Sequence, residues 1–219
     1  MNKTKSYSAF FCFLVMISAV ADFLSDIMAI QLFEFGAFSF SGGDFLFPVV
    51  YVINDILTEV YGYNTAKRFI WYGLGVNAFA LGMLAFVASL AGAGTPIYDF
   101  AIGEQGIASA LSVSIAGLVA YVCASFTNAA IMDKMKSRDG DKKFCFRAVV
   151  STLFAEAVDS CVFCGFMCVL GTYPLEVFVS TTLTITALKT AVEAVLLPLT
   201  KKVVCKVKEI EGVPYGNIS

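Results

Sequence analysis

The sequence predicts an all-α membrane protein of six transmembrane helices with both termini in the cytoplasm. Three observations predict it. Hydrophobic residues make up 58% of the 219 residues and charged residues only 15%. Soluble domains carry nearer ~25% charge, and so sparse a set does not cover a water-facing surface. The apolar residues gather into six runs, roughly 7–32, 44–62, 67–91, 107–132, 147–170 and 177–200. Each is long enough to cross ~30 Å of hydrocarbon at ~1.5 Å per residue. Lastly, the basic residues are sorted along the chain.

Only helices and closed barrels satisfy their backbone in lipid, and these runs are long and do not alternate, so helices are expected. Pro48 falls in the first turn of the second run, where its missing N–H does little harm. Gly92, Gly94 and Pro96 mark the third–fourth connection, and Gly171 and Pro174 the fifth–sixth. Pro198 lies near the end of the sixth run, where a kink is expected. The chain is read as one transmembrane domain over residues 1–219, with no length left for a soluble one.

Lys3 and Lys5 precede the first span, and Lys67 and Arg68 follow the second. Lys134, Lys136, Arg138, Lys142, Lys143 and Arg147 lie between the fourth and fifth. Lys201, Lys202, Lys206 and Lys208 follow the sixth. All of these fall on one side of a six-span topology. The opposite connections carry only acids, such as Glu34, Asp99, Glu104 and Glu176. The positive-inside rule then places both termini in the cytoplasm of a cell (inner) membrane. The N-terminus also imitates a cleavable signal, with Lys3, Lys5, an apolar run and "SAVAD". The apolar stretch continues to Phe33, longer than a signal core, and cleavage would leave the remaining topology unchanged.

Composition excludes several chemistries. The chain has no histidine, the commonest general base and zinc ligand. There is no Gly-rich phosphate loop of the G-x-x-x-x-G-K-[ST] type, so the chain does not hydrolyse ATP itself. An intramembrane serine protease would want Gly-x-Ser-Gly and a histidine. The "SGGD" at 41–44 falls short of an aspartyl protease's Gly-x-Gly-Asp. Cys161, Cys164 and Cys168 on one apolar helix read as small packing residues rather than a metal site, and no disulfide framework is expected. No enzyme activity, cofactor, metal or nucleic-acid partner is expected.

Lys189 is the basic residue that escapes this sorting. It lies twelve residues after Val177 and twelve before Lys201, about 18 Å from each end of its span. Unpaired at the bilayer centre it would cost at least ~2.5–3.5 kcal/mol. Asp159 lies twelve residues beyond Arg147, and Asp55 twelve before Lys67, so both reach the same depth. Glu156 shares a helical face with Asp159, Glu59 with Asp55, and Glu193 with Lys189. Asn77 and Asn128 add uncharged hydrogen-bonding groups from the third and fourth spans. Asp22 and Asp26 form a further pair, either an entrance or a wet helix end. Pairing for packing alone would leave charge nearly balanced. Five acids against one Lys point instead to a polar substrate cavity, with Glu59 close enough to the boundary to reach water.

The segment "NDILTEVYGYNTAKR" (54–68) resembles the D-x-L-T-E-V-Y-G-Y-x-x-A-R signature of the queuosine precursor transporters, a vitamin-uptake-transporter-like family. "FSFSGGDFLFPVVY" (38–51), "STLFAEAVDS" (151–160) and "LKTAVEAVLLP" (188–198) are similar to other parts of that family. Some members carry Asn where this chain has Glu156, which hints at differences in substrate. The resemblance implies import of 7-deazaguanine precursors of the tRNA base queuosine: the cyano or aminomethyl base, or queuine. One carboxylate can accept the ring N1–H and exocyclic amine together, while Asn77 or Asn128 addresses the O6 edge. Phe47, Tyr51 and Phe154 lie one turn from the acids and offer aromatic walls. The candidate substrate-binding set is therefore Tyr51, Asp55, Glu59, Asn77, Asn128, Glu156, Asp159 and Lys189. A stand-alone secondary transporter leads, with proton coupling through Asp55, Glu156 or Asp159 and facilitated diffusion both open. The alternative is the substrate-binding membrane subunit of an ATP-driven vitamin importer. A homodimer is compatible with a six-helix carrier, but no segment marks an interface.

Overall fold

The computed structural model describes residues 9–28, 32–35, 38–102, 106–140, 143–171 and 174–212. Lys3, Lys5, Glu104 and Lys142 lie outside them, as do the side chains of Asp26, Glu34 and Asp44. Helix α1 covers Ala9–Met28. A hairpin of β1 (Leu32–Phe35) and β2 (Phe38–Ser41) follows, antiparallel with Leu32 opposite Ser41. A 3₁₀ turn, Gly42–Phe45, leads into α2, Phe47–Tyr61. Then come α3 (Tyr63–Ala91), a short α4 (Pro96–Ala101), α5 (Gly106–Asp139), α6 (Phe144–Val169) and α7 (Leu175–Ile210).

The chain is all-α in class, and the predicted runs appear in order as helices. Four described stretches are long and apolar enough to cross a bilayer: Tyr63–Ala91, Ala110–Asp139, Phe144–Val169 and Phe178–Ile210. The apolar part of α1, Phe10–Ser25, is shorter. At 15 residues α2 spans only about 22 Å. The shortfall in α2 has a physical reason, because most of its residues are buried and it packs against α1, α3, α5 and α7. A helix enclosed by protein need not match the thickness of lipid. By contrast, α3 shows its side chains outward, with Phe79 71% and Leu90 72% exposed. A large apolar surface of this kind belongs against acyl chains.

Two ends depart from the sequence reading. The first run is helix as far as Met28, and Leu32 at its end already belongs to β1. The sixth run continues ten residues past the expected end, straight through Pro198. The proline ring leaves the Ala194 carbonyl without its usual N–H partner, but the helix carries on. Lys201, Lys202, Lys206 and Lys208 are therefore helical, not part of a loop.

Gly62 joins α2 to α3 with φ +81° and ψ 164°. Its N–H bonds the Thr58 carbonyl at 3.1 Å, and its own carbonyl accepts from Ala66 at 3.1 Å. One residue thus ends one helix and starts the next, a conformation that favours glycine. The apolar core around α2 includes Val50, Ile53, Leu57, Ile70, Met132 and Ala148.

Candidate functional site

Phe47, Tyr51, Asp55 and Glu59 follow one another at four-residue steps on α2. That spacing aligns them on one face, about 6 Å apart along the axis. Each meets a different set of partners from α5, α6 and α7.

At the Phe47 and Tyr51 levels, Lys189 on α7 is the centre. Its Nζ donates to Asp159 Oδ2 at 2.8 Å and lies 3.4 Å from Glu156 Oε2. The same ammonium sits 4.3 Å from the Phe47 ring centroid, a cation–π geometry. Phe47 and Tyr51 have ring centroids 6.0 Å apart. Tyr51 is buried and lies in the field of Asp159, Glu156 and, from α1, Asp22. Its Oη is buried without a hydrogen bond to any described residue. The depth count along the sequence thus brought Lys189 to Asp159 and Glu156 as expected, and the group is closed from solvent.

One turn further along α2, Asp55 Oδ1 accepts from Asn128 Nδ2 at 2.7 Å. Beside it, Glu193 Oε1 accepts from Thr152 Oγ1 at 2.5 Å. Asn54 Nδ2 donates to the Ser125 carbonyl at 3.2 Å, tying α2 to α5 at this level. Glu193 shares its face of α7 with Lys189, but the Lys189 ammonium is engaged on α6. Thr152 was not anticipated, although it sits at i, i+4 and i+7 with Glu156 and Asp159, a spacing that could have found it.

A turn further still, Glu59 enters a different environment. Its Oε2 takes Arg147 Nη2 at 2.9 Å and its Oε1 takes Lys208 Nζ at 2.8 Å. Lys136 Nζ lies 3.6 Å from Oε1 and donates to the Glu59 carbonyl at 2.5 Å. Arg147 also donates to the Gly140 carbonyl, closing the α5–α6 connection. Nearby, Tyr61 Oη donates to Glu211 Oε1 at 2.8 Å. Glu59 is thus not gathered with the Lys189 group. Instead it fastens α2 to α5, α6 and α7 at the end where three separate basic segments meet. Arg147 and Lys208, counted in the sequence as topology markers, are 0% and 3% exposed.

Asn77 also lies elsewhere than expected. Its Nδ2 donates to Asp22 Oδ2 at 2.9 Å, joining α3 to α1. The Asp22 carboxyl is buried, so it is not a wet helix end. Phe154 is 55% exposed and offers no wall to the acids. Cys161 is exposed, Cys168 part-buried and Cys164 buried.

The fold and the site together define a multi-pass membrane protein with ionisable side chains gathered inside its helices and sheltered from lipid. Charged groups are costly to hold there unless they are paired or serve a function. Residues 41–203 match the family described as "Putative vitamin uptake transporter", and the chain belongs to that family. The protein is therefore a membrane transporter of the vitamin-uptake type, in agreement with the resemblance carried by residues 54–68. No curated protein and no solved structure matches the chain.

Proposed function

We propose that the chain is a stand-alone carrier, one six-helix transmembrane unit with both termini cytoplasmic, that imports 7-deazaguanine precursors of queuosine across the cell (inner) membrane. The observation that carries this reading is the Lys189–Asp159–Glu156 group under the Phe47 ring. A flat, nitrogen-rich base suits such a site. One carboxylate accepts the ring N1–H and the exocyclic amine as a pair, and the ammonium donates to the O6 edge. Phe47 and Tyr51 supply faces for the ring. A second carboxylate accommodates the ammonium of an aminomethyl base or of queuine. Asn128 and Asn77 each spend a side-chain N–H on an acid, Asp55 and Asp22, which favours Lys189 for the O6 edge.

The test is uptake into liposomes holding this chain alone, with labelled aminomethyl-deazaguanine and unlabelled cyano base, queuine and guanine as competitors. Deazaguanines should compete, and guanine, which shares the N1–H, exocyclic amine and O6 but lacks an ammonium for the second carboxylate, should compete less well than the aminomethyl base. Asp159→Asn should abolish uptake while the protein remains in the membrane. No uptake without added subunits would favour the binding component of an ATP-driven importer. Normal uptake by Asp159→Asn would remove the site assignment.

A further inference from the structure

No cation pairs with Asp55 or Glu193 among the described residues, unlike Glu59, Glu156 and Asp159. Asp55 is 0% and Glu193 2% exposed. Each carboxyl has one oxygen held by a neutral donor, Asn128 for Asp55 and Thr152 for Glu193. The remaining oxygens, Asp55 Oδ2 and Glu193 Oε2, are buried and receive no N–H or O–H from other described side chains. The two carboxyls lie within hydrogen-bonding reach of each other.

The surrounding charges do not change this. Asp55 feels Glu59 on the next turn of α2 and Arg147 on α6, and Glu193 feels Glu156 on α6. Arg147 is engaged by Glu59, and Lys189, one turn along α7 from Glu193, is engaged by Asp159 and Glu156. Among the described residues α5 brings the neutral Asn128 to Asp55, and no charged group. Two facing carboxylates in a site closed to water repel strongly, and neither has a donor for its second oxygen. A single proton between them removes both problems, since one acid donates O–H to the other's oxygen.

We propose that Asp55 and Glu193 share one proton and form the proton-coupling site of the carrier, one turn below the level that takes the substrate. This rests on the carrier reading given above. In each cycle one proton enters from the outer side, sits between the two carboxyls, and leaves to water at the basic end. No bond of the substrate changes. Loss of the proton leaves Asp55 charged in the field of Arg147, where it competes with Glu59 for that guanidinium. Deprotonation in this way loosens the ion-pair cluster that fastens α2 at the basic end.

Two experiments test the pair. The first needs no substrate: the infrared spectrum of the wild-type protein in lipid at neutral pH. A protonated-carboxyl C=O band is expected, removed or shifted in both Asp55→Asn and Glu193→Gln and retained in Asp159→Asn. Absence of that band in the wild type, or a band unchanged in both variants, overturns the proposal. The second is uptake of labelled aminomethyl-deazaguanine with the membrane potential clamped at zero. One pH unit is worth about 1.36 kcal/mol, so one-to-one coupling sets an accumulation of about tenfold per unit of inward proton gradient. Wild type should show this and lose it with a protonophore, and Glu193→Gln should not respond to the gradient. A Glu193→Gln protein that accumulates like wild type overturns the proposal. Wild-type protein that takes up no deazaguanine at all counts against the substrate assignment, and the infrared result then decides the proton site alone.

Discussion

Two charge clusters lie along the same face of α2, and their arithmetic is opposite. At Lys189 one cation meets Asp159 and Glu156, with Asp55 and Glu193 just beyond. At Glu59 one acid meets Arg147, Lys208 and Lys136. Both are buried, so both carry large desolvation costs. The difference lies in what completes each. The Glu59 cluster is anchored by main chain as well, through the Gly140 and Glu59 carbonyls, and it gathers the ends of four helices. That is the construction of a fastening. The Lys189 group has an aromatic ring over its cation and a buried tyrosine hydroxyl without a partner among described residues. The proposed substrate site rests on those two features. Charge burial alone therefore does not identify a binding site; what sets the proposed one apart is the aromatic ring over its cation.

The comparison is broken most directly at Glu59. Glu59→Gln removes the single negative charge from three clustered cations. Breaking a buried pair from one side typically costs about 3–5 kcal/mol, so the variant should be lost from the membrane or unfold at much lower temperature. Membrane yield and thermal unfolding in detergent measure it, and a variant as stable as wild type would mean the cluster fastens nothing. Lys189→Met comes next, at about 3 kcal/mol. Its two acids can relieve themselves by taking protons, whereas the Arg147 guanidinium at Glu59 cannot lose one. Lys189→Met with Asp159→Asn should recover part of the stability but none of the uptake. A fully active Lys189→Met protein would place that Lys outside the cargo site.

How much of this was visible beforehand divides along a physical line. Depth in a membrane adds up at a fixed rise per residue, so counting brought Lys189, Asp159 and Asp55 to neighbouring levels. Facing does not add up that way, because it depends on which helix lies alongside. Asn77 was at a suitable depth yet meets Asp22 on α1. Phe154 was close in sequence to Glu156, but two residues along a helix turn about 200°, and it points outward. The length of α7 was obscured by Pro198 and four lysines, which imitate a helix end followed by a loop. With that end misplaced, Lys208 could not be brought to Glu59. Arg147 was hidden differently, since a basic residue beside a loop ordinarily lies in water.

Smaller changes sharpen the contrast. Asn128→Ala removes the only described donor to Asp55 Oδ1. A hydrogen bond to a charged group contributes about 1.5–3 kcal/mol, less if the proton shared with Glu193 moves onto Asp55. Stability should fall modestly, and Asn128→Asp should do worse by adding a third carboxyl; urea or thermal unfolding in detergent would rank them. Lys136→Met should have the smallest effect. Lys136 is the most exposed cation of its cluster, at 11%, and the longest contact, at 3.6 Å. Arg147 and Lys208 keep Glu59 compensated without it, so the loss should be about 1 kcal/mol or less, mainly the bond to the Glu59 carbonyl. If Lys136→Met instead matched Glu59→Gln, all three cations would act as one unit. The division of Glu59 into a tight pair and an outer third member would then be wrong.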